Sequence, residues 1–225
     1  PLGRYIVKEV SSPQYYSVSE EEVTVYLEHE GQIVQIEFLN ESVYTNVSIG
    51  KSGYTEVVPG QDIRYTFKDI ANNSTVPLDS FYWRDTLPTD AVRLDKIITG
   101  TYSARLNYKV VFQTNLSNTQ RVLADNLNTL QNYTLDASPA ALGLASNEYV
   151  TQVTFLFGRV PGGFRQVETP YIYCDVLSDL PHEYRFANKC DVGGMWQNQW
   201  IQATDRWVTI IYRGGPVPTL PRTGY

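Results

Sequence analysis

The chain has 225 residues, 42% of them hydrophobic, and a formal net charge of -6. That charge argues against a nucleic-acid partner, which needs a basic face. No apolar run of about 18 residues, the length a membrane-crossing helix needs, occurs in the sequence. The opening PLGRYIVKEV also lacks the basic-then-apolar pattern of a signal peptide. Either the chain is cytosolic or it is a piece of something longer. Tyr 17, Phe 8 and Trp 4, with many Val, Ile and Thr, favour strands over helices.

In chain order, GRYIVKEV alternates as a strand, with Tyr5 and Val7 on one face and Ile6 and Lys8 on the other. SSPQYYSVSEE is a turn-rich connection. EVTVYLEHEGQIVQIEFLN reads as a hairpin of VTVYLE and QIVQIEFLN around Glu30-Gly31. Three strands are few for an independent core, so residues 1–45 are expected to be the C-terminal strands of a partial β domain. From residue 46 a second unit begins with NVSIGKSG. The turn VVPGQD leads into DIRYTFKDI, whose Ile63, Tyr65 and Phe67 share a face. FYWRDTLP, AVRLDKIITGTYS and LNYKVVFQTNL follow as strands. TQRVLADNLNTLQNY carries the one helical hint, with Leu123, Leu127 and Leu130 at spacings of four and three. EYVTQVTFLFGRVP, TPYIYCDVL, YRFANKCDVGG and DRWVTIIYR complete a strand set running to residue 213. Many short strands with Gly, Pro and Asn turns predict an all-β fold, a sandwich or Greek-key barrel. Residues 214–225, GGPVPTLPRTGY, are linker-like.

Cys174 and Cys190 are the only cysteines. They are candidates for a disulfide if their strands are antiparallel neighbours, or two small buried hydrophobes. No metal or other cofactor is expected, because His29 and His182 sit at ligand spacing from neither cysteine. Sequons begin at Asn40, Asn46, Asn72, Asn73, Asn115 and Asn132; in an Asn- and Thr-rich β protein they arise by chance.

Three stretches carry a resemblance. PLGRYIVKEVSSPQYYSV resembles part of the SpaA-like, or Cna B-type, prealbumin-fold domains of Gram-positive surface proteins. VVPGQDIRYTFKDIANNSTVPLDSFYWRDTLP is similar to the signature of isopeptide-forming fimbrial and adhesin sandwich domains. LPRTG matches the Leu-Pro-x-Thr-Gly sorting signal read by sortase. Their order is that expected at the C-terminus of a wall-anchored adhesin or pilin. The resemblance implies an Ig-like or prealbumin-like sandwich on an extracellular, cell-wall-anchored protein. The first unit lacks the strand that carries the reactive lysine in that family. The tail lacks the apolar span and basic end that follow the sorting signal there. Both departures lead us to expect a piece of a longer chain.

In such families a lysine amine and an asparagine carboxamide form an amide with the help of an acid. The amine must be neutral and the acid protonated, and burial favours both. A packed site also holds the reactants at contact. The resemblance implies Lys51 as the lysine, Asp85 as the promoting acid, with Trp83 and Tyr82 as a dry wall, and Asn188 as the amide partner, Asn198 being the alternative. The bland reading makes Lys51 a solvated turn residue, Asp85 a turn cap and Asn188 an edge polar group. In the first unit Glu9 matches the family's acid and Asn40 its acceptor. With no lysine strand they would be leftovers of a reaction centre, since Lys8 neighbours Glu9 on the opposite face.

For the tail, the implied partners are sortase and then a peptidoglycan or pilin amine. Leu220, Pro221, Arg222, Thr223 and Gly224 form the signal, cut between Thr223 and Gly224. No enzyme activity is expected: no Ser-His-Asp order, zinc spacing or phosphate loop occurs. The competing reading is an extracellular carbohydrate-binding module taking a host or other glycan ligand, with Trp196 and Trp200 of MWQNQW stacking on sugar. Core packing is the alternative for those tryptophans.

Overall fold

A computed structural model describes residues 1–13 and 15–214. Among them there is no helix; fourteen strands form three sheets. β1 (Gly3–Lys8) and β2 (Glu22–Leu27) make an antiparallel pair of their own. The other twelve are β3 (Val47–Ser52), β4 (Glu56–Val57), β5 (Asp62–Asn72), β6 (Leu78–Thr86), β7 (Val92–Ile98), β8 (Asn107–Thr114), β9 (Ser117–Asn128), β10 (Thr134–Asp136), β11 (Val150–Val160), β12 (Tyr171–Val176), β13 (Arg185–Trp196) and β14 (Gln199–Ile211). They form a five-stranded sheet, β10-β7-β12-β5-β3, and a seven-stranded sheet, β4-β14-β13-β6-β11-β8-β9. The fold is an all-β sandwich.

Period-two alternation explains the layers. On β5, Ile63, Tyr65 and Phe67 are fully buried while Asp62, Arg64 and Lys68 are exposed. On β6 the inward residues are Phe81, Trp83 and Asp85. Trp83 stacks on Phe155 of β11 at 3.9 Å between centroids, and Phe67 meets Trp83 from the opposite sheet at 4.8 Å. Complete burial of each such aromatic contributes about 1.5–3 kcal/mol. The main core draws its members from residue 47 onward, and none comes from β1 or β2.

Two expectations are corrected. The helical hint at Leu123 and Leu127 is strand β9. β9 bulges at Asn126, at φ 55, so that Ala124 faces Val110 and Leu127 faces Tyr108, and the strand ends at Asn128, leaving Leu130 in the turn that follows. The second correction concerns QIVQIEFLN, which pairs with nothing. Among the described residues no backbone hydrogen bond involves residues 33 to 40. β1, not this segment, supplies the partner of β2. The side chain of Gln32 instead closes the turn, accepting from the Glu28 amide at 2.7 Å and donating to the Tyr26 carbonyl at 3.1 Å. Ile33 and Leu39 remain exposed at 93% and 83%, and Ile36 and Phe38 are only half-buried, so pairing of this stretch would be weakly rewarded.

Candidate functional site

The inward face of β3 carries Val47, Ile49 and Lys51. A lysine on an apolar stripe is costly unless paired, and Lys51 is paired. Its Nζ lies 2.5 Å from Asp85 Oδ1, with both side chains wholly removed from solvent. The ammonium sits 3.9 Å from the Phe67 ring centre and 4.7 Å from that of Tyr65. β13 turns Asn188 and Cys190 inward beside Asp85, Cys190 being its Cα partner in the ladder. Asn188 Nδ2 donates to Asp85 Oδ2 at 3.2 Å. One carboxylate thus touches the lysine with one oxygen and the asparagine with the other. The three residues come from three strands and from both sheets.

Burial raises the Asp85 carboxyl above its usual range, against the opposing pull of Lys51 and Asn188. A raised carboxyl is suited to receive the lysine proton and release it again. Two polar atoms at this centre lack any partner among the described residues, Asn188 Oδ1 and the Tyr65 hydroxyl. The centre is anchored from behind by Asp205 of β14, whose Oδ2 accepts from the Lys51 backbone amide at 2.6 Å. Sequence reasoning missed Asp205. Its signal was an acid in phase with Trp207 and Thr209 on a half-buried strand.

The structure brings Lys51, Asp85 and Asn188 together and excludes Asn198. That residue is exposed in the β13–β14 turn at φ 63. Tyr82 is not part of the dry wall. Adjacent strand residues face opposite ways, so Tyr82 lies on the outer face against Trp200, with ring centres 6.0 Å apart. Phe67 and Tyr65 take its place. Cys174 and Cys190 are buried free thiols, one on β12 and one on β13, in different sheets. Their strands are therefore not antiparallel neighbours. Burial pushes Cys190 up to about 12, and Cys174 is raised well above its ordinary value by the same cause.

The first unit repeats part of this arrangement. Asn40 Nδ2 donates to Glu9 Oε1 at 2.9 Å, and Glu9 Oε2 accepts from the Ser19 amide at 2.6 Å. Asn40 Oδ1 is buried without a partner among the described residues, like its counterpart Asn188 Oδ1. Among the described residues no amine joins Glu9 and Asn40. Lys8 faces away, in an exposed ion pair with Glu22. Between β2 and residues 34–37 runs a groove of about 540 Å³.

The tryptophans do not form a paired platform. Trp196 packs on the core, whereas Trp200 is 52% exposed on the outer face. Among the described residues no cluster of His, Cys, Asp and Glu could hold a metal. The sorting motif Leu220, Pro221, Arg222, Thr223 and Gly224 lies outside the described residues.

No family model and no curated protein matches the chain. Solved structures do show likenesses. One is an aspartate-to-alanine variant of BcpA, the major pilin subunit of Bacillus cereus, at 13% identity and TM-score 0.36. It covers 94% of this chain, which spans 56% of that chain's length. AvmM, which catalyses macrocyclization in alchivemycin A biosynthesis, aligns at 8% identity and TM-score 0.30, over 76% of this chain and 92% of its own. AggA, the major subunit of aggregative adherence fimbriae type I from Escherichia coli, aligns at 7% and 0.29, over 79% and 99%.

Proposed function

We propose that the chain is a structural stalk or wall-proximal segment of a bacterial surface adhesin or pilin. In this reading residues 1–45 are the last strands of a SpaA-like domain and residues 46–213 an adhesin-type sandwich. An amide between Lys51 and Asn188, promoted by Asp85, cross-links the sandwich, and sortase joins Thr223 of LPRTG to a wall or pilin amine. The observation that carries the proposal is the buried contact of Lys51, Asp85 and Asn188. The acid touches both groups that the reaction would join, the amine with one oxygen and the carboxamide with the other. A buried pair with these partners is also poor value for stability alone, since apolar side chains of similar volume do as well or better.

The chemistry follows from the positions. Asp85 takes a proton from the Lys51 ammonium across their contact. The freed amine attacks Asn188 Cγ, the Cγ–Nδ2 bond breaks, and ammonia leaves. The product ties β3 at one edge of the five-stranded sheet to β13 inside the other. Tension on the chain then loads a covalent bond rather than a ladder of hydrogen bonds. Two experiments test the proposal. Tandem mass spectrometry of a digest should recover one branched peptide joining the Lys51 and Asn188 segments. Incubation with a sortase and an oligoglycine amine should give a ligated product that Thr223→Ala abolishes. Linear peptides only, and no ligation, would overturn it.

A further inference from the structure

We propose that the Tyr65 hydroxyl is a second catalytic group of this centre, a hydrogen-bond donor to the carbonyl oxygen of Asn188 during amide formation. The inference rests on the cross-link reading and assigns it a residue that neither the sequence nor the resemblance singled out.

The orientation of the carboxamide is the first observation. Its nitrogen faces Asp85 Oδ2 at 3.2 Å, so the acid stands at the leaving group and its oxygen is left without a donor. The second is the pair of buried orphans. Asn188 Oδ1 can only accept and the Tyr65 hydroxyl can donate; each lacks a partner among the described residues. Leaving such a bond unmade is costly for both groups, and the two belong to one centre. Burial acts most on the Tyr65 phenol and raises it, and the Asn188 carboxamide adjoins it closely enough to lower it as a donor, so the two side chains are neighbours. The Tyr65 ring also lies against the attacking Lys51 Nζ. Thr209, the other side chain acting on that phenol, already donates to the Tyr54 carbonyl at 2.8 Å, so its proton is committed elsewhere. Burial keeps the phenol protonated across the ordinary pH range.

The step balances. Lys51 passes one proton to Asp85 and its lone pair forms the Nζ–Cγ bond. The carbonyl electron pair moves onto Oδ1, where the Tyr65 hydrogen bond holds the developing negative charge without proton transfer. Collapse restores the carbonyl and breaks Cγ–Nδ2. Asp85 gives its proton to Nδ2, which departs as ammonia, and takes the remaining extra proton from Nζ. A donor placed where charge develops is worth more in the transition state than before it.

The test follows cross-linking in newly made chains. Protein is produced by cell-free synthesis, quenched in acid at intervals, and weighed by intact mass spectrometry. Tyr65→Phe keeps the ring and removes the hydroxyl; it should slow the loss of ammonia on the order of a hundredfold. 3,5-Difluorotyrosine installed at codon 65 is a stronger donor and should convert no slower than wild type and much faster than Tyr65→Phe. If wild type never loses ammonia, the cross-link reading itself fails. If wild type cross-links and Tyr65→Phe keeps pace with it, the role of Tyr65 is overturned. The same holds if the difluoro variant is as slow as Tyr65→Phe, because packing and not donation would then set the rate.

Discussion

Among the described residues, two acid–asparagine contacts leave the amide oxygen buried without a partner, Asp85 with Asn188 and Glu9 with Asn40, and they differ in what surrounds them. Both asparagines donate through Nδ2 to the acid and leave Oδ1 unpartnered. The first contact is sealed between two sheets and has an amine on its other carboxylate oxygen. The second is half-buried on a two-stranded sheet, and the Ser19 amide takes the place of the amine. An acid beside an amide is therefore common to both; an amine and exclusion of water distinguish the reactive one. Desolvation is what raises Asp85, and a lone pair of strands cannot supply it.

The largest expected effect comes from removing the shared acid of the sealed centre. Asp85→Ala should restore the sequence mass. It should also lower stability by two separable amounts: about 4–5 kcal/mol for losing a cross-link over a long loop, by the entropic estimate for disulfides, and about 3–5 kcal/mol for leaving Lys51 buried without its partner. A denaturant titration beside wild type measures the sum. The double variant Lys51→Met with Asp85→Leu should recover the second part and not the first.

A smaller effect concerns the two thiols near the same centre. Burial keeps the folded Cys190 thiol protonated up to about 12, above the ordinary 9.0 of a free thiol. The folded state thus binds the proton more tightly, so this group's contribution to stability is present below pH 9.0 and is lost as pH rises toward 12. Both thiols should resist maleimide at neutral pH until the sandwich unfolds. Rapid labelling of the native protein would contradict the sealed core that separates the two centres.

The smallest effect is expected at the open centre. Asn40→Ala should leave the mass deficit unchanged and cost no more than about 1.5–3 kcal/mol, the scale of one hydrogen bond to a charged group. A further loss of ammonia mapped to Asn40 in the wild-type chain would break the comparison.

Much of the sealed centre was legible because strands alternate. VSIGKS puts a lysine in phase with Val47 and Ile49, and FYWRDT puts an aspartate in phase with Phe81 and Trp83; each is a charge on an apolar face. The same rule should have excluded Tyr82, which adjoins Trp83. Tyr65 was visible as a core residue, but which cross-sheet groups it meets depends on how two sheets stack, and no local pattern encodes that. The β9 error has another root: Leu123 and Leu127 of the strand and Leu130 of the following turn fall at helical spacing, and a bulge at Asn126 blurs the alternation that would contradict it. The idle segment after Gln32 could not be foreseen either, because alternation predicts a strand whether or not a partner exists.

The most direct test of the central claim is the intact mass of the purified wild-type protein beside that of Asp85→Ala, both under reducing conditions. The account predicts that wild type falls short of its sequence mass by one ammonia and that Asp85→Ala does not. Equal agreement of both proteins with their sequence masses would contradict it.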